Sequence, residues 1–270
     1  MSALTTSRLL SDHSDALELS GVTKRFGGLV AISDVSFSMS VGRIHGLIGP
    51  NGAGKSTTVG AISGFIKPDS GRIGYAGREL IKLDPASITR LGVARTFQQA
   101  TPLAGLTVRE NILIGLHTRY RSGLTSVLLR LPNMRREARA MNEVAEKLLA
   151  DFDLLDEIDM QAKSLTFGKL RFLQIARAVA TRPRLLLLDE PAAGLNKDET
   201  ERLATLIRDI RDQGVGMLLI DHDVPFVFDL CDEVTVMNFG SVIASGAPND
   251  VYRNPAVREA YLGNQDDDGS

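Results

Sequence analysis

The residues of this chain best suited to hold an anion are the nine at positions 49–57, Gly-Pro-Asn-Gly-Ala-Gly-Lys-Ser-Thr. They follow a short apolar run, residues 44–48, and precede a helical pattern. This context predicts a phosphate-binding loop between a strand and a helix. Its glycines let backbone N–H groups turn inward around an anion, and the helix directs the positive end of its dipole to the same point. A simple glycine-rich turn is the weaker alternative.

The residue types of this loop suit a nucleoside triphosphate and its magnesium ion. Lys55 can reach the β- and γ-phosphates, and Ser56 offers a hydroxyl to Mg²⁺, which prefers oxygen ligands and keeps part of its water shell. Thr57 extends the same helix start. The other loop residues that we expect to contact the phosphates are Asn51, Gly52, Ala53 and Gly54. The predicted ligands are therefore ATP and Mg²⁺.

Two carboxylates, Asp189 and Glu190, follow the apolar run 185–188. Such a run predicts a strand covered on both faces, and ligands of open α/β sheets bind at the carboxyl ends of such strands. We expect Asp189 to hold Mg²⁺, directly or through water, and Glu190 to orient or deprotonate the water that attacks the γ-phosphate. We also expect this strand to neighbour the strand before the phosphate loop. A strand that ends in two solvated acids is the structural alternative.

His222 follows the next apolar run, residues 217–220, and we expect it at the same sheet edge as Lys55 and Glu190. A neutral imidazole there can hydrogen-bond the γ-phosphate and help to position the attacking water. Gln98 precedes a helical region, and its amide can contact both Mg²⁺ and that water. Each of these two residues, taken alone, would more often be structural.

A second helix start that could bind an anion lies at residues 165–169, Leu-Thr-Phe-Gly-Lys. Thr166 supplies a hydroxyl and Gly168 an open backbone immediately before a long helical pattern. Because the chain has one phosphate loop, this second start could serve a nucleotide that another copy holds. A plain helix cap is the alternative.

The elements that must position these residues are those of an α/β protein. Alternating patterns at residues 17–19 and 35–39 predict half-buried antiparallel strands before the phosphate loop, and residues 71–77 predict another short strand. The apolar runs 185–188 and 217–220, with a helical pattern between them, predict a βαβ unit.

The region between about residues 99 and 182 is predominantly helical in pattern. Its clearest helix carries apolar residues on one face, at positions 141, 145, 148, 149 and 152. An inserted helical subdomain explains this region most simply.

The composition limits the partners. The 270 residues include 31 basic and 33 acidic side chains, so no global field attracts nucleic acid. The one cysteine, Cys231, excludes an internal disulfide and a cysteine-based zinc site. No apolar run approaches the roughly 20 residues of a membrane-spanning helix, and the N-terminus lacks the layout of a secretory signal. We therefore expect a cytosolic chain, without a nucleic-acid partner, that reaches a membrane through another protein.

Together these motifs resemble the ATP-binding cassette (ABC) ATPase family. In the terms of this family, the motifs are Walker A at residues 49–57, the Q-loop glutamine Gln98, the signature motif at residues 165–169, Walker B at Asp189 and Glu190, the D-loop at residues 193–196 and the switch histidine His222. Phe26 falls where the family stacks an aromatic ring on adenine, although the sequence alone would also allow a core phenylalanine.

The resemblance implies a P-loop (RecA-like) ATPase core with an N-terminal antiparallel β subdomain and an inserted α-helical subdomain. The expected parts are a flexible leader (1–15), an ABC ATPase domain (16–264, with its core at 16–98 and 176–264 and its helical subdomain at about 99–175) and an acidic tail (265–270).

Within the family, residues 24–28, 95–98, 190–196 and 260–263 are similar to the ATPases of branched-chain amino-acid importers, the LivG type. This resemblance implies a Mg²⁺-dependent ATPase that drives the uptake of branched-chain amino acids or a related small polar solute. Relatives serve urea, aromatic acids and lipopolysaccharide export, and some cassette ATPases do not act in transport, so these remain alternatives.

The resemblance also implies the partners. Two cassettes, identical or sister chains, close head to tail over two ATP molecules, and each signature motif completes the opposite site. Closure acts on membrane-spanning permease subunits, and a solute-binding protein delivers the cargo to them. The chain is then peripheral, on the cytoplasmic face of the cell membrane.

Two features depart from the expected pattern. Lys169 stands where the family usually has glutamine, and a cation at a helix N-terminus costs about 0.3–1 kcal/mol unless an anion lies close to it. Residues 117–136 are rich in arginine without an acid. They suit a solvated basic face, or alternatively contact with the permease or lipid headgroups.

Overall fold

The computed structural model of the chain describes residues 16–96, 103, 105–117 and 132–262. The predicted leader, Gln98 and the acidic tail lie outside the described residues. The strands are β1 (Leu17–Phe26), β2 (Leu29–Met39), β3 (Ile44–Ile48), β4 (Ser70–Tyr75), β5 (Arg78–Glu79), β6 (Val93–Arg95), β7 (Leu185–Asp189), β8 (Gly216–Ile220), β9 (Glu233–Asn238) and β10 (Ser241–Gly246). The helices are α1 (Lys55–Ile62), α2 (Pro85–Arg90), α3 (Val108–His117), α4 (Pro132–Asp151), α5 (Phe167–Ala180), α6 (Lys197–Asp212), α7 (Val224–Leu230), α8 (Pro248–Arg253) and α9 (Pro255–Leu262).

The strands form two sheets. A four-stranded antiparallel sheet has the order β2-β1-β4-β5, and a six-stranded sheet has the order β10-β9-β3-β8-β7-β6. In the larger sheet the strands from β9 to β6 pair in parallel, and β10 is antiparallel to β9. The α/β fold with an antiparallel region before the phosphate loop is therefore confirmed.

The strand before the phosphate loop and the strand before Glu190 are separated by one strand. β8 pairs with β3 on one side and with β7 on the other. The expectation that β3 and β7 are neighbours is therefore wrong, because the strand that precedes His222 lies between them. The three strand ends still fall at one edge, because all three strands run in parallel.

The central strands are buried on both faces, which explains their unbroken apolar sequences. Alternate residues of a strand point to opposite faces. In β7, Leu186 and Leu188 join the core on the side of α5 and α6, whereas Leu185 and Leu187 join the core on the side of α1 and the antiparallel sheet. The parallel sheet is thus the wall between two hydrophobic cores.

The predicted amphipathic helix is confirmed as α4. Met141, Ala145 and Leu149 are buried, Leu148 is partly buried, and Phe152 packs in the same core just after the helix ends. The crossover helix α6 begins with a capping box, in which Asn196 accepts from the Glu199 N–H and the Glu199 carboxylate accepts from the Asn196 N–H.

The limits of the helical subdomain remain a proposal. Helix α5 continues through residue 175, where we placed the boundary with the core. Among the described helices, none combines the length and the apolar character that spanning a membrane requires. Cys231 is a free, buried thiol, and burial raises its pKa well above the usual range.

His45 is a buried histidine in β3. Its ring stacks on Phe37 with 5.3 Å between centroids, and its Nε2 lies 2.8 Å from the Thr235 hydroxyl. Burial lowers the pKa of His45 to about 4. Glu233, 3.8 Å from Nδ1, is half-exposed, so water screens its carboxylate.

We expect His45 to make folding stability fall in acid. Because its pKa is about 4 in the folded state and 6.5 in the unfolded state, the unfolded chain takes up the proton first as pH drops from 6.5 to 4. Above pH 6.5 the residue contributes no pH dependence. The loss is at most about 3 kcal/mol of unfolding free energy at pH 4.

Chemical denaturation at several pH values measures this effect. The variant His45→Gln, which cannot take up the proton, should show a shallower loss of stability between pH 6.5 and 4. Lys67→Gln, a glutamine substitution at an exposed residue, is the control, and its slope should equal that of the unmodified chain. Equal slopes for His45→Gln and the unmodified chain would contradict the assignment.

Candidate functional site

The phosphate loop requires glycine where its backbone turns most sharply. Gly54, the residue before α1, has φ of 100° in the left-handed region, and a Cβ atom there would lie 2.7 Å from the Ala31 carbonyl oxygen. Gly49 has φ of 150°, and its Cβ would lie 2.1 Å from the Met237 carbonyl oxygen. Strands β2 and β9 thus press on the loop and hold its shape.

The side chain of Lys55, the first residue of α1, folds back over the phosphate loop. Its Nζ donates to the carbonyl oxygens of Gly49 at 2.6 Å and Pro50 at 2.9 Å. Burial lowers the pKa of Lys55, and the negative charges of Glu190 and Asp189 act in the opposite direction. The structure therefore brings this lysine within electrostatic range of both predicted carboxylates. Next to it, Ser56 is exposed, so its hydroxyl is accessible to a ligand.

Asp189 ends β7 as a buried carboxylate with an arginine partner. Its side chain is 4 % exposed, and Arg95 Nη2 donates to its Oδ2 at 3.0 Å. The Asp189 N–H donates to the Thr96 hydroxyl. No sequence pattern predicted Arg95 as a partner of Asp189, which lies 94 residues away in the chain and meets it because β6 pairs with β7.

Glu190 is held in an unusual backbone conformation. Its φ is 49°, which is rare for a residue with a side chain. The Glu190 N–H donates to the Ile220 carbonyl oxygen at 2.8 Å, and its own carbonyl oxygen accepts from the Ala193 N–H. Backbone strain of this kind persists where the surroundings impose it, and here the two backbone hydrogen bonds hold it.

Asp221 is a site residue that the sequence reasoning missed. It follows β8 and is 1 % exposed. Its Oδ1 accepts from the backbone N–H groups of His222 at 2.8 Å and Asp223 at 3.1 Å, and its Oδ2 accepts from the Ala192 N–H at 3.1 Å. His222 Nδ1 lies 3.3 Å from Oδ1. Burial raises the pKa of Asp221, and the backbone donors partly offset that rise.

Asp221 therefore connects the segment after Glu190 to His222. The sequence did contain one signal for Asp221, because this residue follows an apolar strand, as Glu190 does. The sequence-based prediction chose the adjacent His222 instead, because a histidine can hydrogen-bond a phosphate.

The signature motif, residues 165–169, forms a turn at the start of α5, which we call the signature turn, and a side chain caps this helix start. The Thr166 hydroxyl accepts from the Lys169 N–H at 3.4 Å and so caps α5. The Lys169 ammonium pairs with the Glu157 carboxylate. That anion offsets the cost of a cation at this helix end, which the sequence left unexplained.

The signature turn contacts the predicted D-loop of the same chain. The Phe167 ring packs on the backbone of Gly194, and Gly168 lies against the Glu199 carboxylate. Arg171 Nη2 lies 3.5 Å from the Ala193 carbonyl oxygen, with its guanidinium 5.6 Å from the Phe167 ring centroid. Burial lowers the pKa of Arg171, against the opposing charges of Asp221, Glu190 and Asp189.

Phe26, the residue predicted to stack on adenine, is half-exposed. It ends β1 with 49 % of its surface exposed, and Lys24 Nζ lies 5.4 Å from its ring centroid. This exposure excludes the alternative of a core phenylalanine. Gln98, the remaining predicted residue, lies outside the described part of the chain.

The predicted metal ligands Ser56 and Asp189 carry donor groups of the kind that Mg²⁺ prefers. Ser56 offers an accessible hydroxyl, and Asp189 offers a carboxylate near Lys55. Both are hard oxygen donors, and Mg²⁺ at nucleotide sites is held by one or two such groups with phosphates and water. The two residues therefore fit this ion.

Comparison with known families gives two matches. A family described as "ABC transporter" matches residues 32–193. A second, described as "Branched-chain amino acid ATP-binding cassette transporter", matches residues 241–267.

Individual proteins extend the similarity over most of the chain. A high-affinity branched-chain amino acid transport ATP-binding protein, BraF of Pseudomonas aeruginosa, is 40% identical over 92% of this chain and 97% of its own. The corresponding LivG of Salmonella typhimurium is 42% identical over the same shares. Among solved structures, the ADP conformation of an ATP-binding cassette of an ABC transporter, MJ1267, has a TM-score of 0.79 at 32% identity. That match covers 92% of this chain and 99% of the other.

Asp221→Asn tests the connection between the two loops. An asparagine amide keeps one acceptor but directs N–H groups at backbone donors, so the ordering of Ala192 and His222 should be lost. We expect ATP turnover to fall about 10- to 100-fold, the effect of losing hydrogen bonds to a charged group. ATP affinity should change less than turnover, because the hydrogen bonds described for Asp221 go to the backbone of Ala192, His222 and Asp223 and not to the phosphate loop.

Steady-state hydrolysis and equilibrium binding of a fluorescent ATP analogue measure the two quantities. Asp223→Asn is the matched control, because Asp223 caps α7 with one backbone contact and an asparagine also caps well. Unchanged turnover in Asp221→Asn would contradict the connecting role.

Proposed function

Because the chain belongs to the ABC transporter family, whose ATP-binding subunits hydrolyse ATP to drive transport, we propose that it powers the uptake of branched-chain amino acids. The observation that carries this proposal is the shared edge of β3, β8 and β7. There Lys55 of the phosphate loop meets the charges of Asp189 and Glu190, and His222 stands at the strand end between them.

The residues at this edge divide the work of hydrolysis. Lys55 and the loop backbone hold the β- and γ-phosphates of ATP. Ser56, Asp189 and the predicted Gln98 would hold Mg²⁺, which would supply positive charge beside the phosphates. Phe26 stacks on adenine from its exposed position at the end of β1.

The attacking water is positioned by Glu190 and His222. Glu190 accepts its proton or fixes its orientation, and the strained backbone at this residue, with φ of 49°, is typical of functional sites. His222 contacts the γ-phosphate by donating from Nε2–H to one of its oxygens, while Nδ1, 3.3 Å from Asp221 Oδ1, sets the direction of the ring.

The signature turn acts on a second subunit. Thr166 presents an exposed side chain at a helix start, and Gly168 lies buried behind it against the Glu199 carboxylate. We assign them to the nucleotide of a second copy or a sister ATPase. ATP can close such a pair only through contacts that exist in the closed form, and loss of the γ-phosphate removes them.

The permease subunits are assigned to a grooved surface beside β6. Two adjoining grooves of about 200 and 230 Å³ lie there, with the exposed apolar residues Phe65 and Ile114 in their linings. Exposed apolar residues in a concave surface are typical of partner interfaces. Docking there places the chain at the cytoplasmic face of the membrane, and a solute-binding protein acts through the permease.

The cargo is assigned from the relatives and from the C-terminal segment. The curated relatives at 40–42% identity are branched-chain amino acid transport proteins, and residues 241–267 match a family of that description. A lipopolysaccharide export ATP-binding protein of Acidithiobacillus ferridurans is 33% identical. The higher identity and the C-terminal match favour amino-acid uptake over export.

Glu190→Gln tests the hydrolytic assignment. The amide cannot accept the proton of the water, so turnover should fall at least about 100-fold, the contribution of a general base. ATP binding should persist, and an ATP-bound dimer should accumulate because the γ-phosphate stays in place.

Hydrolysis assays and light scattering after size-exclusion chromatography give the two readouts. Glu201→Gln, an exposed glutamate on α6, is the control and should behave as the unmodified chain. Normal steady-state hydrolysis by Glu190→Gln would refute the role given to Glu190.

The cargo assignment is tested in cells. When the chromosomal gene is replaced by the Glu190→Gln allele, uptake of labelled leucine, isoleucine and valine should fall to background, because import requires hydrolysis. Labelled urea and an aromatic acid are the comparison substrates, and their uptake should be unaffected. Loss of urea uptake with normal leucine uptake would overturn the cargo and leave the ATPase assignment intact.

A further inference from the structure

Arg95 joins three parts of the molecule that the sequence does not connect. From the end of β6, its guanidinium donates to Asp189 Oδ2 at 3.0 Å and to the Ser63 hydroxyl at 3.1 Å. It also lies 5.9 Å from the Phe65 ring centroid. Ser63 caps the C-terminal end of α1, the helix whose first residue is Lys55. Arg95 thus touches the predicted Mg²⁺ carboxylate and the far end of the phosphate-loop helix.

The same side chain separates the two grooves beside β6. Arg95 and Thr89 line both the groove that contains Phe65 and the groove that contains Ile114. The larger groove also contains Arg177, and the described residues that line it include no acid. Its surface therefore complements a segment that is apolar and carries an acidic or other acceptor group.

We propose that Arg95 competes with Mg²⁺ for the carboxylate of Asp189, and that a permease segment seated in the grooves relieves this competition by drawing the guanidinium toward itself. The inference rests on the proposed function, because it assumes Mg²⁺ with ATP at Asp189 and a permease at the grooves. It adds a positioning residue through which the docking surface controls the metal site.

The competition follows from the charge and burial of the pair. The Arg95 side chain is 14 % exposed and that of Asp189 is 4 % exposed, so little water screens their attraction. A carboxylate oxygen that accepts a charge-assisted hydrogen bond from a guanidinium is a weaker ligand for a cation. Arginine stays protonated throughout the physiological range, so only movement of the side chain can remove its charge from Asp189.

The grooves provide a route for such a movement. The guanidinium contacts one oxygen of Asp189, the Ser63 hydroxyl and the Phe65 ring, and Arg95 lines both open grooves. An acceptor on a docked segment would offer the guanidinium another partner. A modest change in docking therefore changes the charge available at Asp189 without a rearrangement of β7.

The first experiment measures metal affinity without turnover. In the full chain carrying Glu190→Gln, Mn²⁺ is titrated in the presence of ATP and followed by electron paramagnetic resonance. Adding Arg95→Gln should tighten Mn²⁺ binding by about tenfold, the effect expected for removing one hydrogen bond between charged groups. A structural role for Arg95 predicts weaker or unchanged Mn²⁺ binding, and either result would overturn the proposal.

Two variants control for charge and folding. Arg90→Gln removes an equal charge from α2, where Arg90 contacts Ser87, and should leave Mn²⁺ affinity as it was. Arg95→Lys keeps a cation but not the planar pair of contacts, so it should give a smaller tightening than Arg95→Gln. If Arg95→Gln does not fold, the Mn²⁺ affinity of Arg95→Lys tests the proposal. An affinity of Arg95→Lys for Mn²⁺ that is no tighter than that of the chain with Arg95 intact would count against the proposal.

The second experiment uses the complex co-purified with its permease subunits. Assembly should tighten Mn²⁺ binding when Arg95 is present, and should add nothing when Arg95→Gln is already in place. The same tightening in both complexes would overturn the role of the grooves. Failure of Glu190→Gln to retain ATP would count against the proposed function, whereas retained ATP with Mn²⁺ binding insensitive to Arg95 would overturn this inference alone.

Discussion

The parallel pairing of β3, β8 and β7 is the constraint on which the rest of the structure depends. Their register pairs Gly46 with Leu219 and Asp189 with Ile220, so the three chains turn out of the sheet at one edge. A shift of the strand register by one residue would turn each side chain of that strand toward the opposite core. In β7 it would also move the acid at the strand end away from that edge. The two hydrophobic cores on either side of the sheet prevent such slips. The chemistry of the edge therefore depends on packing that lies well away from it.

Converging strand ends create an electrostatic problem, because they gather acids where water is scarce. Asp189 and Asp221 are almost fully buried, and burial of an unpaired charge is costly. Partners of different kinds compensate the charges of these acids. Arg95 donates to Asp189, backbone N–H groups donate to Asp221, and the charges of Lys55 and Arg171 act on the same acids. These partners keep the edge folded and also hold its acids in fixed directions.

The arrangement connects the nucleotide edge to two surfaces. On one side, Phe167 and Arg171 tie the signature turn to the segment that follows Glu190, so a change at that glutamate reaches the surface assigned to a second subunit. On the other side, Arg95 ties Asp189 to the grooves assigned to the permease. In both cases an arginine spans the distance, which suits a planar cation with several donors.

The sequence by itself determined the local elements and most of the site. The glycines of the phosphate loop, the apolar runs that became β7 and β8, and the cap at Thr166 are visible because strand and helix periodicities and turn chemistry act between near neighbours in the chain. The tertiary structure alone decided that β8 separates β3 from β7, and that Arg95 meets Asp189 and Glu157 meets Lys169. Strand order and ion pairing join residues that are distant in the chain, and a single sequence has many charges that could pair. Packing selects among them, because only the folded chain brings particular side chains within a few ångströms of each other.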